Sequence, residues 1–396
     1  MEKVVLAYSG GLDTSYCVKY LIHEQNLEVH TILVNTGGFS EKELKETQTR
    51  AYELGSSSHS NKTILQEFYD KAIKYLIYGN VLKNSTYPLS VSAERIFQAI
   101  EVINHAKKIG AKYIAHGSTG AGNDQIRFDV IFQTLAPEIE IITPIRDLKL
   151  SRQEEVTYLQ KHGVHYSWEK AQYSINKGLW GTSVGGKETL TSHDTLPEKA
   201  YPSQLQKESE ETILLNFEKG ELTGLDGVKD SPIRNIQKLE ELASAFAIGR
   251  DTHVGDTIIG IKGRVGFEAA APIVIIKAHH LLEKHVLTKW QQYWKEQLAN
   301  WYGMLLHEGN YLDPVMRNIE VFMEDSQKSV TGNVKVKLKP YHFILEGIES
   351  DFDMMKSDFG QYGEMNNSWT SEDAKGFIKI YGNANKIYHN INPGKL

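Results

Sequence analysis

Short apolar runs alternate with amphipathic stretches over the first 165 residues of the chain. The apolar runs predict buried strands, and the amphipathic stretches predict helices between them. The strands are predicted at Lys3–Ala7, Glu28–Val34, Thr63–Leu65, Lys112–His116 and Glu140–Thr143. The helices are predicted at Asp13–Ile22, Glu41–Leu54, Glu67–Val81, Arg95–Ile109 and Ser151–Lys161. This rhythm favours an α/β fold with a parallel sheet covered on both faces, whose ligands sit beyond the carboxyl ends of the strands.

The strand–helix rhythm stops after Gly163. Residues 166–235 are rich in Gly, Ser, Thr and Pro, which predicts loops and short strands. Helical periodicity returns at Pro272–Leu287 and Thr288–Leu306. One stripe of the second helix carries four large apolar residues, which predicts a core face or a subunit interface. These are Trp290, Trp294, Trp301 and Leu305.

The sequence pattern of the last part of the chain predicts a strand followed by a C-terminal helical arm. Asn333–Lys339 alternates as an exposed strand, with Val334, Val336 and Leu338 facing inward. Glu372–Asn390 predicts a short amphipathic helix that suits an arm packed on another subunit. We therefore predict three parts, at residues 1–165, 166–362 and 363–396.

Composition narrows the class of function. The 396 residues suffice for two or three domains, and 44 basic against 50 acidic side chains give a net charge of −6. No basic stripe points to nucleic acid, so a small-molecule substrate is favoured. The single Cys17 cannot form an internal disulfide, and no apolar run approaches the length of about 18 residues needed for a membrane span. Because a strand is predicted from Lys3, we expect no signal peptide and a cytoplasmic location.

A glycine-containing segment, Ala7-Tyr-Ser-Gly-Gly-Leu-Asp-Thr-Ser15, joins the first predicted strand to the first predicted helix. Paired glycines let the backbone approach a ligand, and a helix N-terminus presents N–H groups and the positive end of its dipole. Ser9, Thr14 and Ser15 add hydroxyl donors. The segment, called the first loop below, therefore predicts a phosphate site. The alternative is an ordinary turn in which Asp13 caps the helix.

A second segment has the spacing of a different phosphate loop. Gly181-Thr-Ser-Val-Gly-Gly186-Lys187 fits G-x-x-x-x-G-K. Glu188 stands where a hydroxyl would have to bind magnesium, and no strand is predicted before the segment. We interpret this match as chance.

Another glycine-rich segment follows the predicted strand that ends at His116. This second loop reads Gly117-Ser-Thr-Gly-Ala-Gly-Asn-Asp-Gln-Ile-Arg127-Phe128. Asp124 can hold an ammonium group, and Arg127 can hold a carboxylate through two parallel hydrogen bonds. Thr119 and Asn123 supply neutral hydrogen bonds. Since an α-amino acid carries both charges, the loop predicts amino-acid recognition; the alternative is a turn in which Asp124 caps the following helix.

The first loop resembles the PP-loop, SGGxD[ST], of the ATP pyrophosphatase superfamily. Together with His116–Phe128 it resembles the argininosuccinate synthase family, and the matches Tyr173-Ser174, Ser329-Val-Thr-Gly332 and Gly376-Phe-Ile-Lys-Ile380 follow in the family's order. The resemblance implies a nucleotide-binding domain like that of the adenine nucleotide alpha hydrolases. An α+β synthetase and oligomerisation domain and a C-terminal helical arm would follow it, in a homotetramer.

The resemblance also implies a reaction, the ligation of citrulline and aspartate in arginine biosynthesis. The ureido oxygen of citrulline attacks the α phosphorus of ATP and releases pyrophosphate. The amine of aspartate then displaces AMP from the citrullyl-adenylate. A loop that grips the outer phosphates leaves the α phosphorus facing the acceptor. Magnesium is expected with ATP, and Asp13 is its candidate ligand.

The resemblance assigns roles residue by residue. ATP contacts are expected from Ala7, Tyr8, Ser9, Gly10, Gly11, Leu12, Asp13, Thr14, Ser15, Val34 and Gly117, with the catalytic role on Ser9, Asp13, Thr14 and Ser15. Citrulline contacts are expected from Tyr87, Ser92, Asn123, Arg127, Ser174 and Ser183, with Thr182 as the alternative to Ser183. Aspartate contacts are expected from Thr119, Asn123 and Asp124.

The chain departs from the family pattern within Val254–Glu268. The family often places a Glu and a Tyr there to close around citrulline, whereas this chain has Gly255 and Phe267. Asp256 is the candidate to replace the Glu, but Phe267 has no hydroxyl to donate. The stretch Ser174–Ser183 also differs in detail from the commoner form of the family, which indicates a divergent branch.

Two other functions are hypotheses that account for fewer of the sequence features than the ligation does. Another PP-loop enzyme would adenylate a tRNA base or a different small molecule, but its thiolating members commonly use paired cysteines and this chain has one. A regulator that binds a nucleotide without catalysis is the third hypothesis.

Overall fold

Five parallel strands form the first sheet of the protein. They are β1 Lys3–Ala7, β2 Glu28–Asn35, β3 Ser58–Thr63, β4 Tyr113–Ala115 and β5 Glu140–Ile142, in the order β3-β2-β1-β4-β5. The helices that accompany them are α1 Leu12–His23, α2 Glu41–Glu53, α3 Leu65–Phe68, α4 Lys74–Tyr78, α5 Glu94–Ile109, α6 Asp124–Leu135, α7 Pro144–Leu148 and α8 Arg152–Lys161. The computed structural model describes residues 1–166, 173–357 and 368–394. The sheet confirms the predicted α/β class.

Local sequence signals account for several of these elements. The apolar residues Val4, Val5 and Leu6 of β1 are fully buried, as expected for a strand covered on both faces. Helices α2 and α8 each begin with a capping box, in which Ser40 and Ser151 exchange hydrogen bonds with the glutamate three residues later.

Two predicted elements of this part are wrong in detail. The third strand is Ser58–Thr63 and not Thr63–Leu65, because backbone pairing with β2 selects a half-exposed polar segment that has no apolar alternation. The single helix predicted at Glu67–Val81 is α3 and α4 separated by a π-helical turn at Tyr69–Ile73. Helix α6, which begins within the second loop, continues for 12 residues.

Two antiparallel sheets follow, where the sequence predicted loops and short strands. Their strands are β6 Ser174–Gly178, β7 Gly181–Gly185, β8 Glu211–Glu218, β9 Glu221–Leu225, β10 Val228–Lys229, β11 Arg250–Asp256, β12 Lys262–Glu268, β13 Gly332–Lys339 and β14 His342–Glu349. The strand orders are β11-β12-β7-β6 and β10-β9-β8-β13-β14. Helices α9 Pro232–Ser244 and α10 Ala270–Val286 pack against these sheets, and helices α11 Lys289–His307 and α12 Pro314–Ser326 pack on each other. Neither α9 nor α12 was predicted.

The strand predicted at Asn333–Lys339 is β13. Val334, Val336 and Leu338 are fully buried, as predicted. The strand itself is not exposed, because it lies between β8 and β14 and is hydrogen-bonded on both sides.

The three tryptophans of the predicted stripe on α11 are not part of the core, whereas Leu305 packs against it. Trp290, Trp294 and Trp301 are 64%, 57% and 57% exposed. The interface alternative stays a prediction.

The described residues form two compact units, Met1–Asp351 and Phe352–Leu396. The second unit contains α13 Ser371–Tyr381 and α14 Asn383–Ile391, so the helix predicted at Glu372–Asn390 is two helices separated at Gly382. The predicted boundary at residues 362–363 lies outside the described residues, and the one at 165–166 stays a prediction. None of the described helices is both long and apolar enough to cross a membrane.

A buried ion pair joins α10, α11 and the end of α4. Lys295 donates from Nζ to Glu283 Oε2 at 2.9 Å and to the Tyr78 carbonyl oxygen at 2.7 Å. Both charged side chains are at most 1% exposed. Because each charge compensates the other in a dry environment, removing one alone leaves an uncompensated buried charge.

We predict that Lys295→Met lowers the free energy of unfolding by about 3–5 kcal/mol. Glu283→Gln combined with Lys295→Met removes both charges and should recover much of that loss. Urea unfolding followed by circular dichroism measures both values. Lys277→Met, at an exposed position of α10, is the matched control and should change stability by about 0.5 kcal/mol or less. Equal effects at positions 277 and 295 would contradict the prediction.

Candidate active site

The first loop connects β1 to α1 at the carboxyl edge of the parallel sheet. Gly10 has φ +77°, a left-handed conformation that favours glycine, and Arg50 donates from Nη1 to its carbonyl oxygen at 2.6 Å. Gly11 occupies the N-cap position of α1, and no side chain caps the helix. The alternative role of Asp13 as a cap is therefore wrong, because Asp13 lies inside the first turn. This uncapped helix end suits an anionic ligand.

The second loop lies directly against the first. A Cβ added to Gly117 would lie 3.3 Å from the carbonyl carbon and Cβ of Asp13 and from Cγ2 of Thr14. The start of the second loop is held by His116, whose Nε2 lies 2.9 Å from Asp129 Oδ1 and whose Nδ1 accepts the Ser118 N–H at 3.2 Å. The two loops therefore share one edge of the sheet in direct contact.

Asp124 and Arg127 are bonded to each other. Arg127 donates from Nη1 to Asp124 at 2.8 Å and from Nε to the His307 carbonyl oxygen at 2.8 Å. Arg95 donates from Nε to the other carboxylate oxygen of Asp124 at 2.9 Å. Desolvation acts to raise the pKa of Asp124, but the charges of Arg95 and Arg127 outweigh it and lower the pKa to about 2. Asn123, and not Asp124, occupies the N-cap position of α6, and its side chain does not cap the helix.

Glu94 and Arg95 are cavity residues that the sequence analysis did not assign. Glu94 is 2% exposed, accepts a hydrogen bond from Thr36 Oγ1 at 2.6 Å and pairs with Arg95 at 2.8 Å. Burial raises the pKa of Glu94 to about 7. Gly178 leaves room for this carboxylate, since a Cβ there would lie 2.3 Å from Glu94 Oε2. Arg95 stands in the first turn of a predicted helix, where an arginine gives no distinctive sequence signal.

One cavity of about 1530 Å³ brings the predicted residues together. Its lining includes Ala7, Tyr8, Ser9, Gly10, Gly11, Leu12, Asp13, Thr14, Val34, Tyr87, Ser92, Gly117, Thr119, Asn123, Asp124, Arg127, Ser174 and Ser183. Ser15 is fully buried and does not line it. Of the two alternatives on β7, Ser183 lines the cavity and Thr182 does not, because neighbouring strand residues point to opposite faces.

The segment with Walker-like spacing has no phosphate-loop geometry. Gly181–Gly185 is strand β7 of an antiparallel sheet, and a short 3-10 turn at Lys187–Leu190 follows it. The interpretation of this match as chance is confirmed.

Aromatic packing positions Tyr87 at the cavity wall. Its ring stacks on His253 at 5.1 Å between centroids and packs against Phe267 at 5.4 Å. Its hydroxyl accepts a hydrogen bond from Ser90 Oγ at 3.2 Å. Phe267 is 1% exposed and does not line the cavity.

Asp256 and Gly255 lie on the hairpin formed by β11 and β12. The Asp256 carboxylate pairs with Lys262 at 2.6 Å, and both side chains are about two-thirds exposed. The hairpin is tied to the second loop, because the Ile258 N–H donates to Asn123 Oδ1 at 2.9 Å.

A second carboxylate lies beside Asp13. Glu155 on α8 is 3% exposed, contacts Asp13, and has one carboxylate oxygen without a hydrogen-bond partner in the described part of the chain. Burial and the charge of Asp13 raise the pKa of Glu155 to about 8, and burial raises the pKa of Asp13. Within the described ranges no three His, Cys, Asp or Glu side chains form a cluster that could hold a metal ion by themselves.

Two family models together match nearly the whole chain. Residues 3–165 match the arginosuccinate synthase N-terminal HUP domain, and residues 173–388 match the arginosuccinate synthase C-terminal domain.

Curated proteins named argininosuccinate synthase are similar over nearly their full length. The protein from Dictyoglomus thermophilum is 36% identical over 390 residues, which are 98% of this chain and 97% of the relative. That of Methanocaldococcus jannaschii is 34% identical over 392 residues, 98% of each chain. That of Xanthomonas campestris is 33% identical over 403 residues, 99% of each chain. Together with the shared cavity, these matches establish that the chain belongs to the argininosuccinate synthase family, the enzymes that ligate citrulline and aspartate with ATP in arginine biosynthesis.

Proposed function

We propose that this cavity carries out both half-reactions of the ligation with the residues predicted for them. The ureido oxygen of citrulline attacks the α phosphorus of ATP, and the amine of aspartate then displaces AMP. The observation that carries the proposal is the contact between the two loops, in which Gly117 lies against Asp13 and Thr14. This contact supports a phosphate site and an amino-acid site within bonding reach of each other, so that positioning supplies much of the rate.

ATP is the co-substrate, and we assign its outer phosphates to the first loop. Ala7–Thr14 lines the cavity, with Ser9 and Thr14 hydroxyls 3.3 Å apart beside the N-terminus of α1. Donors fixed there stabilise the negative charge that develops on the leaving pyrophosphate. Val34 is assigned to the adenine. Ser15, being buried, would act through the helix backbone or by supporting the loop, and its assignment stays a prediction.

Magnesium fits the acidic end of the first loop. The Asp13 and Glu155 carboxylates lie together, and Mg²⁺ prefers a few carboxylate oxygens together with phosphate oxygens. We assign Asp13 as the protein ligand, with Glu155 beside it. The ion would neutralise phosphate charge during transfer of the adenylyl group to citrulline. Asp13 and Glu155 themselves would hold one proton between them when no cation is bound.

Citrulline is assigned to Tyr87, Ser92, Asn123, Arg127, Ser174 and Ser183, and aspartate to Thr119, Asn123 and Asp124. The guanidinium of Arg127 is buried and held by Asp124 and the His307 carbonyl, which supports a fixed carboxylate-binding group. Asp124 is ionised because two arginines contact it, and an ionised carboxylate suits the ammonium of aspartate. Arg95 is a positioning residue, because it bonds Asp124, which in turn bonds Arg127.

The assembly and location are also proposals. A homotetramer with C-terminal arms would cover apolar side chains that are exposed in a single chain. They include Trp290, Trp294 and Trp301 of α11 and Phe377, Ile380 and Ile387 of α13 and α14. We further propose a cytoplasmic location and domain boundaries near residues 165 and 362.

The products of ATP cleavage test the reaction. Purified protein with ATP, magnesium, citrulline and aspartate should form AMP and pyrophosphate in equal amounts, with argininosuccinate detected by mass spectrometry. Omission of aspartate should limit pyrophosphate release to about one turnover, since the adenylate is not discharged. Formation of ADP, or steady turnover without an amino acid, would exclude the proposed function.

Arg127→Lys should weaken citrulline saturation and leave ATP binding unchanged. Lysine keeps the positive charge but cannot bond Asp124, the His307 carbonyl and a carboxylate at once, because it lacks the planar fork. We expect the KM for citrulline to rise at least about tenfold, as one charged hydrogen bond is lost. Arg234→Lys, at a position on α9, is the control. An equal loss of affinity for ATP and citrulline would mean that Arg127 only supports the fold.

Asp124→Asn should raise the KM for aspartate by about 10–150-fold, which corresponds to a charged hydrogen bond of about 1.5–3 kcal/mol. Asparagine keeps an oxygen for Arg127, so the KM for citrulline should change much less. Steady-state kinetics with each amino acid varied in turn measures both constants. An unchanged KM for aspartate would remove Asp124 from that role.

A further inference from the structure

The hairpin of β11 and β12 lines the cavity beside Tyr87 and Asn123, two of the residues assigned to citrulline. Asn84 donates from Nδ2 to the Val254 carbonyl oxygen at 3.0 Å, and the Ile258 N–H donates to Asn123 at 2.9 Å. The hairpin is therefore fixed on one side to the segment of Tyr87 and on the other to the second loop. Positions 253 and 255 of the hairpin both line the cavity.

The imidazole of His253 occupies the space that a side chain at position 255 would need. A Cβ added to Gly255 would lie 2.8 Å from His253 Nε2 and 3.1 Å from its Cε1. The ring is fixed in place by stacking on Tyr87 at an interplanar angle of 24°. The His253 ring therefore fills the part of the wall that a side chain at position 255 would otherwise occupy.

Two buried histidine nitrogens at this wall lack partners. His253 and His307 both line the cavity, are 6% and 5% exposed, and have no hydrogen-bond partner for Nδ1 within the described part of the chain. An unpartnered buried nitrogen points to a bond made by a ligand. Burial lowers the pKa of both imidazoles, with the charge of Lys83 adding to the effect, so both are neutral near pH 7.

The three carboxylates that line this end of the cavity, those of Glu94, Asp124 and Asp256, are engaged by cations. Asp124 is paired with Arg95 and Arg127, Glu94 with Arg95, and Asp256 with Lys262. The His253 imidazole therefore faces the cavity at this wall, while Asp124, the carboxylate assigned to the ammonium of aspartate, belongs to the second loop. The cations Arg127 and Lys83 nearby still favour an acceptor that carries a carboxylate.

We propose that His253 determines acceptor specificity by presenting an imidazole in place of a carboxylate, so that the site accepts ureido acids with or without an α-ammonium group. This inference rests on the proposed function, because it concerns the acceptor of the same reaction. The ureido group and the carboxylate are the recognised features, and the α-amino group contributes one hydrogen bond to a neutral nitrogen.

The experiment compares citrulline with 5-ureidopentanoate, which keeps the ureido and carboxylate groups and lacks the α-amino group. Pyrophosphate release in the presence of ATP, magnesium and aspartate gives kcat/KM for each acceptor. Loss of a hydrogen bond between a charged donor and a neutral acceptor lowers kcat/KM by at most about 150-fold. A site in which the analogue leaves a buried carboxylate unpaired would instead lower kcat/KM for the analogue by about 10⁴-fold or more. We expect citrulline to be preferred by less than about a thousandfold, and a larger preference would overturn the proposal.

Two variants identify the residue responsible. His253→Ala combined with Gly255→Glu clears the ring and installs a carboxylate, and should raise the preference for citrulline at least about tenfold. His253→Phe keeps the ring stacked on Tyr87 but removes the nitrogen, so citrulline should lose efficiency while 5-ureidopentanoate does not. A preference unchanged in both folded variants would overturn the role of His253. The ratio of kcat/KM for the two acceptors in the wild-type protein does not depend on the folding of any variant. It therefore tests by itself whether the site accepts an acceptor without the α-amino group.

Failure of the inference differs from failure of the proposed function. If kcat/KM for citrulline exceeds that for 5-ureidopentanoate by more than about a thousandfold, the chain still catalyses the ligation but His253 does not have the proposed role. If neither acceptor releases pyrophosphate, the proposed function itself fails.

Discussion

The contact between two glycine-containing loops at one edge of a parallel sheet determines how the rest of the site is arranged. Parallel strands all end at the same edge, so β1 and β4, which are neighbours in the sheet, deliver their loops to the same point. Gly117 permits a separation that a side chain would crowd, since its Cβ would lie 3.3 Å from Asp13 and Thr14. The first and second loops therefore form one continuous wall of the cavity.

Charges in the cavity are arranged as a connected chain rather than as isolated groups. Glu94, Arg95, Asp124 and Arg127 alternate in sign, and each is bonded to the next. A change at any member therefore alters the electrostatic environment of the others. Under the proposed assignments, both amino acids would be bound next to these four side chains, which would couple the two half-reactions electrostatically.

Sequence patterns predicted the elements that rest on strong local signals. β1 was predicted with its observed bounds, Lys3–Ala7, because its apolar run is unambiguous. β3 was misplaced, because Ser58–Thr63 is polar and becomes a strand only through pairing with β2. The polar residues of the two loops could be predicted because glycines, hydroxyls and opposite charges are grouped within a few positions.

Contacts between distant parts of the chain were not predictable from local pattern. His307 contacts Arg127 from 180 residues away, and Glu155 reaches Asp13 from another helix. A histidine near the end of an amphipathic helix, or a glutamate within a capping turn, gives no signal of a role in a cavity. Their placement depends on tertiary packing, which also explains why His253 received no role before the fold was known.

The mutual exclusion between the His253 ring and a side chain at position 255 limits the mutational paths open to this hairpin. Residues that compete for one volume cannot be exchanged independently, since a bulky group at 255 clashes until position 253 has become small. An evolutionary path between the two arrangements would pass through an intermediate with small residues at both positions 253 and 255. Such an intermediate would bind acceptors weakly. Epistasis of this kind would keep divergent members of the family apart once the exchange has occurred.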